Sequence, residues 1–310
     1  MRIIFMGTPD FAVYSLEALL TKHEVVAVVT QADKPKGRGK KMLFPPVKEF
    51  ALSKGLEVLQ PAKVKEPEVI EKLKSYNADL IAVTAYGQIL PEAILNMPKY
   101  GCINVHGSLL PEYRGAAPMQ RAIIDGKKVT GITTMFMAKG MDTGDMLLKK
   151  EIPIAPTDNF ENVHDNLAKA GAQLLLDTID GLEKGTIERI PQKEEEATYA
   201  PMIFKETGHI DWSKTSQQII DLMRGLHPGP GAFALYNDEP LKMFWAEADN
   251  GDAYQDKAFG EIVEVTKKDF AVRTGDGILR IKEVQARGGK KMAADAYLRG
   301  HGMETGVLLH

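Results

Sequence analysis

Four short runs constrain the fold more than any other feature: Arg2 to Met6 (RIIFM), Glu24 to Thr30 (EVVAVVT), Asp79 to Ala85 (DLIAVTA) and Gly101 to His106 (GCINVH). A strand with one wet face alternates apolar and polar residues. These runs are apolar at successive positions, so both faces must be covered. Between them the spacing turns helical, with Phe11, Ser15, Leu16, Leu19 and Leu20 on one stripe and further helical patterns at Pro46 to Ser53 and Pro67 to Tyr76. Strands separated by helices require crossover connections, which predicts a doubly wound α/β domain around a mostly parallel sheet. Two more apolar runs, Val129 to Met137 and Met146 to Ile154, flank the turn KGMDTGD and predict a hairpin at the end of that sheet. A helix over Asn159 to Leu182 follows, with Leu167, Leu174, Leu175 and Ile179 as its buried stripe.

From Lys184 to Ala200 the periodicity fails and the polar, proline-punctuated sequence reads as a linker. Beyond Gly208 come a helix over Ser216 to Leu226, the turn-rich HPGPGAF, and the short strands LKMFWAE, FGEIVEV, FAVRT and GILRIKEVQ. Their spacing of roughly 10 to 15 residues suits a small C-terminal β-barrel. The expected division is a catalytic domain over 1–188, a linker over 189–207 and a second domain over 208–310, which 310 residues suffice to build. No apolar run approaches the roughly 18 residues that cross a bilayer, and MRIIFMGTPDF reads as strand and turn rather than a secretory signal. A cytoplasmic protein with no membrane partner is expected. The single cysteine, Cys102, excludes an intrachain disulfide and a multi-thiolate zinc site, and the seven histidines hold no ligand pair, so no metal is expected.

The densest run of unusual residues lies between Ile103 and Ile123. Asn104 and His106 alternate at a strand end and leave on one face, where open α/β sheets bind ligands. Gly107 and a proline-containing loop follow. Asp142 stands 36 residues beyond His106 in the turn Gly-Met-Asp-Thr-Gly. Together the three would supply a hydrogen-bond donor for an oxyanion, an acid/base group and a carboxylate to orient it. Spacing alone leaves other readings open: a hydrogen-bonded structural histidine, an aspartate present for its turn chemistry, and an asparagine capping a loop. Cys102 shares the face but lies deeper, as a buried small hydrophobe rather than a nucleophile.

The segments NVHGSLLPEYRGAAP, MDTGD and VTAYGQILP together resemble the signature of the folate-dependent formyltransferases. GTPDFA, the basic DKPKGRGKK and QARGGKKMAADAYLRG narrow the resemblance to members that act on initiator methionyl-tRNA. It implies a Rossmann-like first domain and an OB-like second one. It also implies 10-formyltetrahydrofolate as formyl donor, no metal, and catalytic roles for Asn104, His106 and Asp142. The implied folate pocket comprises Ser108, Leu109, Leu110 and Pro111 with Ala85, Tyr86, Gly87, Gln88 and Ile89. A monomer is expected. A family member acting on a small amine, or a catalytically silent tRNA-binding module, are the alternatives.

The net charge of −3 argues by itself against a nucleic-acid partner, but it hides local sums. Lys34, Lys36, Arg38, Lys40 and Lys41 against Asp33 leave +4 in nine residues. In the second domain Arg280, Lys282, Arg287, Lys290, Lys291 and Arg299 against Glu283 and Asp295 leave another +4. By themselves such clusters read as solvated surface; the resemblance implies that they contact tRNA, through Lys34, Lys36, Arg38, Lys40 and Lys41, with Arg287, Lys290 and Lys291 from the second cluster.

Overall fold

The computed structural model describes residues 1–36 and 41–310. They form two compact units, the first made of Met1–Pro118, Val129–Pro153 and His164–Ala200, the second of Met119–Lys128, Ile154–Val163 and Pro201–His310.

The first unit is built on seven strands: β1 (Arg2–Gly7), β2 (Glu24–Val29), β3 (Val58–Leu59), β4 (Leu80–Thr84), β5 (Cys102–His106), β6 (Val129–Phe136) and β7 (Met146–Pro153). Their order is β7-β6-β5-β4-β1-β2-β3. Strands β3, β2, β1, β4 and β5 are parallel, whereas β6 and β7 complete the sheet as the expected antiparallel hairpin. Both faces of the parallel strands are covered, as the continuous apolar runs require: Ile3, Ile4, Phe5 and Met6 are all fully buried. Helix α1 (Asp10–Leu19) contacts β1 and β4, and α3 (Pro67–Ser75) brings Leu73 into the cluster containing Ile4, Met6, Ile81 and Val83. Between them in sequence runs α2 (Pro46–Ser53). On the long helix α4 (Phe160–Lys184), a Cβ at Gly171 would stand 2.9 Å from Val105 of β5, so only glycine permits this approach. After β2 and β3 the chain returns to the other side of β1 to lay down β4, which makes the β1/β4 boundary the topological switch point. Gly7, Thr84 and His106 end β1, β4 and β5.

The sequence stretch read as a linker is held within the first unit as far as Ala200. Ile190 exchanges backbone hydrogen bonds with Met146, and Tyr199–Ala200 pairs with Arg114–Gly115. Backbone pairing leaves no trace in composition, so a polar strap and a free linker look alike in sequence.

The second unit carries an antiparallel sheet, β8 (Ala232–Tyr236), β9 (Glu239–Asp249), β10 (Ile262–Val265), β11 (Phe270–Arg273) and β12 (Ile278–Ala286), in the order β8-β9-β12-β11-β10. The C-terminal residues bridge its edges: Leu235 exchanges hydrogen bonds with His310, Leu309 donates to Gly260, and Ile262 donates to Val307. Helix α5 (Ser216–Gly225) starts at a capping box, Thr215 accepting from the Gln218 amide, and buries Ile219 and Met223 against a core with Trp212, Phe270, Leu279 and Ile281. Within the same unit, the buried Arg224 binds Asp221 at 2.6 Å and donates to the carbonyls of Ala155 and Asp158, which holds Ile154–Val163 in place. Among the described residues no helix is long and apolar enough to cross a membrane.

Candidate active site

Alternation along β5 places Cys102, Asn104 and His106 on one face. Cys102 is buried, its thiol directed at the Ile94 carbonyl, and burial pushes its pKa up to about 12, so it serves as core. Asn104 is half-buried, and its carboxamide forms no hydrogen bond among the described residues. His106 is buried and lies between two acceptors. Its Nε2 donates to the Tyr113 carbonyl at 3.0 Å, and its Nδ1 lies 3.7 Å from Asp142 Oδ2. A carbonyl only accepts, so the proton on Nε2 is set by Tyr113. A neutral ring then turns a lone pair toward the carboxylate, and a second proton on Nδ1 converts that approach into an ion pair.

Asp142 reaches the histidine from a turn in which its own φ is +52°, a left-handed conformation that aspartate tolerates better than most residues. Its Oδ2 also accepts from the Gly115 amide at 2.9 Å. Gly115 has φ +116°, and a Cβ there would stand 3.0 Å from the Ala200 carbonyl oxygen. Sequence reasoning missed four participants here: the Tyr113 carbonyl, the Gly115 amide, Arg114 and Gln192. Gln192 donates to the carbonyls of both Asp142 and Gly144 and accepts from Arg114. The RGAAP segment lay within a motif already singled out, but Gln192 carried no signal of its own.

The residues expected to hold folate divide by their surroundings. Ser108 is buried with its hydroxyl donating to the Glu112 carbonyl, and Thr133 secures the loop by accepting from the Leu110 amide and donating to the Ser108 carbonyl. Leu110 and Pro111 are also buried, and Leu109 is half-buried. The Tyr86 side chain packs in the core, where burial pushes its phenol up to about 12, and only its carbonyl works locally, accepting from Thr8 and Gln31. Gln88 spends its carboxamide on Val64 and Pro61. Exposed surface comes from Ala85, Gly87 and Ile89, the last 81% accessible. Ala85 and Gly87 both have positive φ, so the chain turns sharply just past β4. A separate cavity of about 590 Å³, lined by Cys102, Phe136, Lys139 and Arg189 among others, opens at the start of β5, the opposite end from His106.

Of the first basic cluster, Arg38 and Lys40 lie outside the described residues. Lys34–Lys36 and Lys41–Leu43 form a two-stranded ribbon, and the exposed Lys34 has no ion pair among the described residues. Asp33, counted against this cluster, is already matched by Lys48 at 2.6 Å and Gln60 at 2.7 Å. The second cluster differs from its sequence count. Arg280 binds Asp249 and Glu264 at 2.8 Å each, Lys282 binds Asp269 and Glu247, Arg287 binds Glu239, Lys291 binds Glu283, and Arg299 binds Asp295. Five of these acids lie outside the counted window, brought in by strand pairing. Lys290 alone in the cluster has no ion pair among the described residues.

Comparison with known proteins agrees along the whole chain. The family model described as formyl transferase matches residues 1–179, and that of the formyl transferase C-terminal domain matches residues 202–302. The methionyl-tRNA formyltransferase of Ruminiclostridium cellulolyticum is 51% identical, with 100% of this chain and 99% of the relative covered. That of Caldanaerobacter subterraneus subsp. tengcongensis is also 51% identical, with both chains covered completely. Among solved structures, WlaRD, a sugar 3N-formyltransferase crystallised with dTDP and 5-N-formyl-THF, superposes with a TM-score of 0.66 over 92% of this chain and 97% of its own, at 19% identity.

Proposed function

The chain belongs to the methionyl-tRNA formyltransferase family, and on that footing we propose that Asn104, His106 and Asp142 carry its chemistry. It transfers a formyl group to the free α-amine of methionine on initiator methionyl-tRNA. The observation that carries this assignment is 51% identity over the full length of relatives so named. A folate supplies the formyl group, consistent with the formyl-THF in the crystals of the structural neighbour, and the donor is 10-formyltetrahydrofolate.

The amine attacks the formyl carbon and an oxyanion develops; as it collapses, the bond to the folate nitrogen breaks, and that nitrogen leaves carrying the proton shed by the attacking one. Asn104 supplies N–H donors to the oxyanion, which its uncommitted carboxamide near the carboxyl end of β5 is free to do. On bonding to carbon the amine nitrogen becomes an ammonium and must shed a proton. Nδ1 of His106, facing Asp142, is the place for it, because the carboxylate then neutralises the new imidazolium. Ala85, Gly87, Ile89 and Leu109 provide the exposed and half-buried surface against which the folate rests, with Ser108, Leu110 and Pro111 shaping the loop behind them. Arg38 and its neighbours Lys34, Lys36, Lys40 and Lys41 meet the tRNA. Lys290 is the member of the second cluster best placed to add a phosphate contact, because the others are already paired. The protein acts as a monomer in the cytoplasm.

The test is direct. Incubated with 10-formyltetrahydrofolate and charged initiator tRNA, the protein yields formylmethionyl-tRNA. Absence of product alongside an active control enzyme overturns the assignment, and preferential formylation of glycinamide ribonucleotide or an amino sugar points to the small-amine alternative.

A further inference from the structure

The turn that presents Asp142 does not hold itself. Asp142 sits in a left-handed conformation and its neighbour Met141 is largely exposed, so packing within the turn does little to fix its backbone. Gln192 does. Its Nε2 donates to the carbonyl of Asp142 at 2.7 Å and to that of Gly144 at 2.8 Å, which uses both amide protons. Its Oε1 accepts from Arg114 Nε at 3.0 Å. Arg114 is 1% exposed and anchored in turn by Glu194 at 2.8 Å. A guanidinium only donates and carbonyls only accept, so these three bonds admit one orientation of the carboxamide; the flipped amide would lose all three.

We infer that Gln192 is a positioning residue for formyl transfer, aimed by Arg114 and acting through Asp142. The strap that carries it also pairs with Arg114–Gly115, whose amide binds the same Asp142 carboxylate. Backbone and side chain of the aspartate are therefore fixed by one segment, which sequence alone reads as a linker. This inference rests on the formyl-transfer reading of the site.

Gln192→Glu keeps the shape and the bond from Arg114 but presents oxygen to two carbonyls. In single-turnover formylation with enzyme in excess, it lowers the rate roughly 10- to 100-fold, while KM for folate and for tRNA stays within about threefold. In an Asp142→Asn background the same change costs less than about twofold, since the route it acts through is already cut. Arg114→Lys, which removes the Nε donor and keeps the charge, gives a smaller loss with the same dependence on Asp142. A wild-type rate in Gln192→Glu, or an undiminished loss in the Asp142→Asn background, overturns the inference. A readout independent of turnover separates this from failure of the functional reading: the ¹⁵N resonance of His106 Nδ1 moves in Gln192→Glu in the direction it moves in Asp142→Asn. An unmoved resonance rejects the positioning role even if the wild type proves active on another amine.

Discussion

Replacing Asp142 with Asn removes one charge and almost no volume. The asparagine oxygen can still accept from the Gly115 amide, so the turn keeps that bond. What disappears is the attraction between the carboxylate and an imidazolium at His106. At their 3.7 Å separation and an effective dielectric near 20, that attraction is about 4 kcal/mol. The Asp142 side chain is 17% exposed, so solvent screens part of it and about 2–3 kcal/mol remains. At about 1.4 kcal/mol per factor of ten, the chemical step slows roughly 30- to 150-fold. Rapid-quench single-turnover formylation, with enzyme in excess over charged tRNA, reads that step without product release. Dissociation constants for folate and tRNA should stay within about threefold, because the lost interaction develops only as the proton arrives. A rate within threefold of wild type, or a loss confined to binding, is incompatible with an imidazolium at His106 stabilised by Asp142.

Arg280→Ala strips the partner from Asp249 and Glu264, so it should lower unfolding stability by about 2 kcal/mol in urea while tRNA affinity stays within threefold. Lys290→Glu should do the reverse, weakening tRNA binding several-fold and reducing the slope of log K against log salt by about one, with stability unchanged; the opposite pattern would return the paired residues to the interface. For Asp269, burial opposes the charged form, but the hydrogen bonds from Lys282 and Thr266 and the charges of Lys282 and Arg280 outweigh it and hold the carboxyl below the usual range. A depressed pKa contributes stability above the unfolded value near 4 that is lost as pH falls through the folded one. The penalty of Asp269→Asn, measured by urea unfolding, should therefore be present at pH 7 and shrink toward pH 3; an equal penalty at both would contradict the pairing.

The first unit was legible wherever one strand's environment dictates its residues. Ile3 through Met6 can be apolar in succession only when both faces are covered, and the hairpin flanking KGMDTGD follows from two apolar runs around a glycine turn. Asn104 and His106 were legible as a strand-end pair for the same reason: alternation is local. What escaped depends on distant partners. Gln192 is an ordinary polar residue until the chain folds back on Asp142. The charge of the second cluster was misjudged because Asp249, Glu264, Asp269, Glu247 and Glu239 arrive through strand pairing and not through proximity in sequence. Strand β8 was overlooked beside the glycine- and proline-rich HPGPGAF, although Asn237 and Asp238, both at positive φ, join it to β9 in a two-residue hairpin of a kind the sequence can announce.

If the strand-end histidine does the chemistry of formyl transfer to methionyl-tRNA rather than holding the fold, its removal must cost rate and spare binding. The most direct measurement compares wild type with His106→Ala for formylation of charged initiator tRNA, with folate and tRNA binding recorded on the same samples. Wild type should form formylmethionyl-tRNA, and the variant should bind both substrates within threefold yet react at least about 100-fold more slowly. A variant that formylates at the wild-type rate would show that His106 takes no part in the chemistry.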